Sequence, residues 1–220
     1  MKKAIAVALA LGLMAGALAA PAQAGKKKKK AKPVKTTLYM HGDLPVGDMA
    51  EWIEGASGGT HNKMDTTEPA AGPPKSHSYT LFGAGNTQCT GNELFPSWEG
   101  QIAGTIVGDL KLYANMLAPP SKVIARVWVD VPFGSCTSEV AGVENFVDPI
   151  AEVEVEVPAG ANELEIVFEK LKVPAQMNLI VQLHQQDEPQ NQGRVLYDSA
   201  DFPTRVEFNC IPPKGAKACA

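Results

Sequence analysis

From residue 98 onward, apolar and polar residues alternate with a period of two, interrupted at intervals by Gly, Pro, Asn and Asp. Ala151 to Val157 is the clearest stretch: Val153, Val155 and Val157 alternate with Glu152, Glu154 and Glu156. A helix would scatter those valines around its circumference, whereas a strand puts all three on one face. Val123 to Val131 repeats the pattern, with Val123, Ala125, Val127, Val129 and Val131 inward and Arg126, Trp128 and Asp130 outward. In Asp109 to Met116, residues Leu110, Leu112, Ala114 and Met116 face in, while Asp109, Lys111, Tyr113 and Asn115 face out. Glu163 to Glu169 and Met177 to His184 follow the same rule through Leu164, Ile166 and Phe168 and through Leu179, Val181 and Leu183. Trp98 to Val107 is a further strand, with Gly108 as a hairpin-like break before Asp109. Shorter strands cover Thr37 to His41, His77 to Leu81, Val195 to Asp198 and Arg205 to Asn209. The count is about ten, with no long amphipathic helix, and the series predicts an all-β antiparallel β-sandwich of jelly-roll type. One-sided alternation gives each sheet a wet face. The outward glutamates also guard their strand against edge pairing.

The ends of the chain read differently. Lys2 and Lys3 precede an apolar run, Ala4 to Ala20, and Ala22-Gln23-Ala24 forms a small-x-small cleavage site. This predicts a signal peptide over 1–24, cut between Ala24 and Gly25. The apolar run is at the short limit for a membrane span, and no second run approaches spanning length. The expected product is therefore secreted and has no transmembrane span. Residues 25–35 read GKKKKKAKPVK, a like-charge block that repels itself and stays unfolded. Residues 36–220 form a single domain, with a long irregular loop over 42–76 rich in Gly and Pro. Within that loop Asp48 to Glu51 reads as a capping box for a short helix ahead of Trp52.

Charge is divided between these parts. The net −4 conceals a basic tail and an acidic body, because seven lysines (Lys26, Lys27, Lys28, Lys29, Lys30, Lys32 and Lys35) crowd the tail. From Thr36 onward, eleven basic residues face 24 acidic ones. Such a body does not suit nucleic acid, whose phosphates need a cationic face. The tail suits an anionic surface, each lysine contributing about 1 kcal/mol near anionic lipid. A solubilising spacer is the plainer reading of the same residues. Four cysteines, Cys89, Cys136, Cys210 and Cys219, fit an oxidising compartment. No pair is spaced as CxxC, and the favoured pairing is Cys89 with Cys136 and Cys210 with Cys219.

The stretch from Trp98 to Phe208 carries a resemblance. A hairpin leads to Arg126-x-Trp128-x-Asp130-Val131, then to a Val157-Pro158-Ala159-Gly160 turn. Val173-Pro174-Ala175 precedes Leu179-Ile180-Val181-x-Leu183, and Arg194 to Ser199 is followed by Pro203 and a final strand. This resembles the non-catalytic jelly-roll modules at the C-termini of secreted hydrolases of the X-Pro dipeptidyl-peptidase type, and galactose-binding-like modules. The resemblance implies an accessory role, binding, bracing or positioning a neighbour.

Candidate chemistry is sparse. Exposed aromatics that could stack on sugars are Trp52 in the long loop and Tyr113 and Trp128 on outward strand positions; all three can equally pack under loops. Gly55-Ala56-Ser57-Gly58-Gly59 matches a nucleophile elbow in letters, without the strand before and helix after that the elbow needs. His41, His61, His77 and His184 lack metal-ligand spacing, so no metal site is assigned and no cofactor is expected. Asp148, Asp198 and Asp201 at loop ends are candidate ligands for a structural calcium, or simple turn residues. The expectation is a secreted, non-enzymatic binding or accessory protein, held at an anionic cell-envelope surface or on a glycan, with a separate secreted enzyme as a further partner. The alternatives are a small hydrolase using Ser57 and His61 in the 42–76 loop, and a carbohydrate-binding module.

Overall fold

A computed structural model describes residues 31–42, 62–78, 97–117, 122–131, 148–160, 162–185 and 193–220. The described residues hold eleven strands and no helix. These are β1 (Val34–His41), β2 (Asn62–Asp65), β3 (Lys75–Ser78), β4 (Ser97–Ile102), β5 (Thr105–Leu117), β6 (Lys122–Val129), β7 (Ala151–Glu156), β8 (Glu163–Val173), β9 (Met177–Gln185), β10 (Arg194–Tyr197) and β11 (Arg205–Ile211). Hydrogen bonds run in the order β8, β5, β11, β1, β2, β4, β9, β6, β7. β10 joins β5 beyond the end of β11 and carries β3 on its other side. Every pairing is antiparallel except β2 with β4, which is parallel. The sheet rolls over until β7 approaches β8. The result is the expected all-β sandwich, with both layers facing one core.

The alternation explains that core. Leu110, Leu112, Ala114 and Met116 of β5 meet Leu164, Ile166 and Phe168 of β8 and Leu179, Val181 and Leu183 of β9. Leu38 and Met40 of β1 and Val206 and Phe208 of β11 complete the same cluster. Trp98 and Tyr197 meet edge to face inside it, with ring centroids 5.2 Å apart. The valines of β7 are only half-buried, because β7 lies at the end of the path, while Glu152, Glu154 and Glu156 point to solvent.

Several expectations change. The turn before β5 lies at Ala103-Gly104, and Gly108 is inside β5 as a bulge at φ +89°, where the register against β8 shifts. The second half of the 42–76 loop is structured, since β2 and β3 lie in it and Ala200 N–H donates to Ala70 O at 3.1 Å. Lys35 belongs to β1 rather than to a free tail; it lies opposite Asn209 and pairs with Glu207 at 2.6 Å. Asn115 of β5 is buried, although alternation placed it outside. The largest departure is in β6 and β9, where Arg126, Trp128 and His184 are buried, although alternation or strand-end position placed them outside or half-buried. Central strands covered on both faces cannot spare one face for water. Trp128, Val131 and Ile180 form a second apolar cluster there.

The end of the chain is fastened by covalent and hydrogen bonds together. Cys210 and Cys219 form a disulfide, as expected, and both are fully buried. Cys219 O accepts from Ala103 N–H at 2.7 Å and from Gly104 N–H at 3.3 Å. A Cβ on Gly104 would stand 2.7 Å from Cys219 Sγ and 2.5 Å from Ile211 O, so only glycine fits at this turn.

Candidate functional site

The densest polar cluster sits where β1, β2, β3 and β10 end together. Inward Leu38 and Met40 leave Tyr39 and His41 on the wet face of β1. The antiparallel register puts Lys63 opposite His41 and Asp65 opposite Tyr39. Tyr197 of β10 lies opposite Lys75 of β3, which brings Asp198, at φ +57°, to the same corner. His41 Nδ1 is 2.7 Å from Asp198 Oδ1, while Nε2 is 3.1 Å from Thr67 O and 3.4 Å from Asp65 Oδ1. Lys75 Nζ pairs with Asp198 Oδ2 at 2.9 Å and donates to Gly42 O. Lys63 pairs with Asp65, which also accepts from Thr67 N–H at 2.8 Å.

Both carboxylates are held ionised. For Asp65, burial pushes the pKa up, but hydrogen bonds from Lys63 and Thr67 and the nearby His41 outweigh it, leaving a value of about 2. Burial likewise opposes ionisation of Asp198, and the bonds from His41 and Lys75 overcome it. Each ring nitrogen of His41 lies within reach of carboxylate or carbonyl oxygens. A general base needs a free ring nitrogen within reach of a hydroxyl. His41 has neither nitrogen open in this arrangement. Ser199, the neighbouring hydroxyl, donates to Gly72 O at 2.8 Å and is buried. The corner therefore acts as a clasp between strand ends.

The residues singled out in the sequence do not converge. Trp128 is fully buried beside Val131 and Ile180, so it offers no ring face to a sugar. Tyr113 stays half-buried on the wet face of β5, with the Arg205 guanidinium 4.3 Å over its ring. Asp198 Oδ1 faces His41 and Oδ2 faces Lys75, while Asp148 and Asp201 are exposed. Among the described residues no group of three His, Cys, Asp or Glu side chains is placed to hold a metal ion. No described helix is long and apolar enough to cross a membrane. Trp52, Ser57, His61, Cys89, Cys136, the cleavage site and Lys26 to Lys30 lie outside the described residues. Sequence reading named His41 and Asp198 separately, but missed Asp65, Lys75 and Lys63, because the contacts span up to 157 residues.

No family profile and no curated protein matches the chain. Solved structures do. An aminopeptidase from the marine sediment archaeon Thaumarchaeota archaeon matches with a TM-score of 0.51 at 10% identity, over 81% of this chain and 37% of that one. A CocE/NonD family hydrolase from Staphylococcus aureus matches with a TM-score of 0.45 at 9% identity, over 81% and 37%. An alpha-amino acid ester hydrolase follows with a TM-score of 0.44 at 10% identity, over 82% and 36%. The fold is thus that of one part of the longer aminopeptidase, in line with the resemblance carried by the turns and strands of 98–208. The chain spans little more than a third of each.

Proposed function

We propose that this chain is an exported, non-catalytic accessory module that binds a ligand or partner and is held at an anionic cell-envelope surface by its lysine-rich segment. The observation that carries the proposal is the unequal coverage: most of this chain matches just over a third of an aminopeptidase. Fold alone does not bring activity with it. The His41 corner supports the same reading, since its imidazole is tied to acceptors on both sides. Residues 1–24 supply the export signal and Lys26 to Lys32 the cationic segment. The buried Cys210–Cys219 bond agrees with an oxidising destination.

The test is fractionation of cells expressing the full chain and a variant lacking residues 26–32, over a range of salt. Attraction between exposed charges fades within a Debye length, about 8 Å at physiological ionic strength. The full chain should be bound to the envelope at low salt and released as salt rises, and the deletion should stay in the medium. Equal binding of the two proteins would remove the envelope claim, and retention of the intact chain in the cytosol would remove export.

A further inference from the structure

The lysines of the domain divide by place. Lys35, Lys63, Lys75, Lys111 and Lys122 each pair with a carboxylate. Lys32, Lys172, Lys214 and Lys217 are exposed and have no carboxylate partner among the described residues. Strand register brings these last four to one end of the sandwich. Val34, Cys210, Ile106 and Val173 stand side by side on β1, β11, β5 and β8. At about 4.8 Å between strands this row is about 14 Å wide. Lys32 lies just before its first member and Lys172 just before its last. Lys214 and Lys217 belong to the short segment between Ile211 and Cys219. The Cys210–Cys219 bond, and the bonds from Ala103 and Gly104 N–H to Cys219 O, hold that segment at the same end. Lys35 is next to Val34 and, although it pairs with Glu207, keeps its side chain 68% exposed.

Carboxylates are present near this end as well. Asp109 accepts from Lys170 N–H at 3.0 Å, and Glu169 precedes that lysine, so Lys170 is left out of the count. Glu207 is bonded to Lys35 and Arg205. In the facing layer Asp130 accepts from Asn178 N–H at 2.6 Å, and Asp148 is exposed. Other acidic groups are distant. Glu163 opens β8, and at about 3.3 Å a residue it stands about 30 Å from Lys172. Glu156 and Asp201 lie at that far end too. The field of an exposed charge fades within about 8 Å at physiological ionic strength, so the far carboxylates do not reach these lysines. A planar anionic surface can meet this end alone, whereas a flexible polyanion would run on past the carboxylates of the flanks. We infer that Lys172, Lys214 and Lys217, beside Lys32 and Lys35, form a folded contact for the head groups of an anionic phospholipid bilayer. The inference rests on the envelope reading; it adds the end of the domain that meets the surface and the kind of surface.

The test is sedimentation of the chain from Gly25, the expected product of cleavage, with vesicles of phosphatidylglycerol and phosphatidylcholine in equal parts, and with phosphatidylcholine alone. Binding should need the anionic lipid and fall steeply between about 0.1 M and about 1 M salt. Lys172→Gln, Lys214→Gln and Lys217→Gln together should weaken it at least about tenfold. All three positions are exposed, so the fold should survive. Lys63→Gln, Lys111→Gln and Lys122→Gln remove the same charge away from this end and should change binding less than about twofold. Equal weakening by the two sets would reduce the effect to net charge and overturn the inference. So would binding by the first triple variant equal to that of the unmodified chain, or no binding to the anionic vesicles. Tighter binding to phosphocellulose than to vesicles, lost with Lys172, Lys214 and Lys217, would assign the contact to a polyanion and overturn the lipid assignment. The tail reading is judged on loss of residues 26–32 and this one on the lysines of the folded domain, so either can fail alone.

Discussion

Asp65 carries an acid-sensitive link in the His41 corner. Its pKa of about 2 lies below the ordinary 3.8. The folded protein therefore favours the ionised form, and this stabilisation is complete above about pH 4 and lost as pH falls toward 2. Asp65→Asn should flatten that acid limb, seen as a smaller fall in urea midpoint between those pH values than in the unmodified chain. Parallel pH profiles would contradict the assignment. Gly104 gives a second test at this scale. Gly104→Ala forces a methyl against Cys219 Sγ and Ile211 O, and overpacking of this kind costs about 1–3 kcal/mol, readable as a lower Tm with the disulfide intact. Neither role was legible in sequence. Asp65 looked like one loop residue among many, and Gly104 became irreplaceable only through the tail that folds onto it.

Strands were the legible elements, because period-two alternation reports burial on one face directly. The reading failed where both faces are covered. Ile124 and Ile180 stood at nominally outward positions and were the available signal that β6 and β9 are central. Against them, Arg126 and His184 looked like solvent-facing residues, yet they are 1% and 0% exposed. Arg126 enters because Glu152 on β7 pairs with its Nε. Position along the sheet path should therefore decide mutational cost. Trp128→Ala in β6 should lose about 3–5 kcal/mol, whereas Val155→Ala in half-buried β7 should lose about 1 kcal/mol. Denaturant unfolding of the two variants checks this, and equal losses would refute the order of strands. Gly108 was read as a break because glycine punctuates turns and bulges alike; the pairing of β5 with β8 on both sides of it settles which.

At the scale of the whole molecule, the sandwich closes on itself and the disulfide ties its last segment down. Cys210 and Cys219 are nine residues apart, a loop for which chain entropy alone gives about 2–3 kcal/mol. Cys219→Ser should lower stability by about that amount, and an unchanged Tm would mean the backbone bonds from Ala103 and Gly104 suffice. The fold class and the accessory-module resemblance were legible because they follow from repeated turns and alternation. The His41 corner was not, since it needs the ends of β1, β2, β3 and β10 brought together at once. The central claim is that the chain binds without catalysing. The most direct measurement is turnover of a panel of aminoacyl anilides and short-chain esters by the purified full chain. The account predicts rates equal to those of buffer. Hydrolysis that disappears on Ser57→Ala or His61→Ala would contradict it.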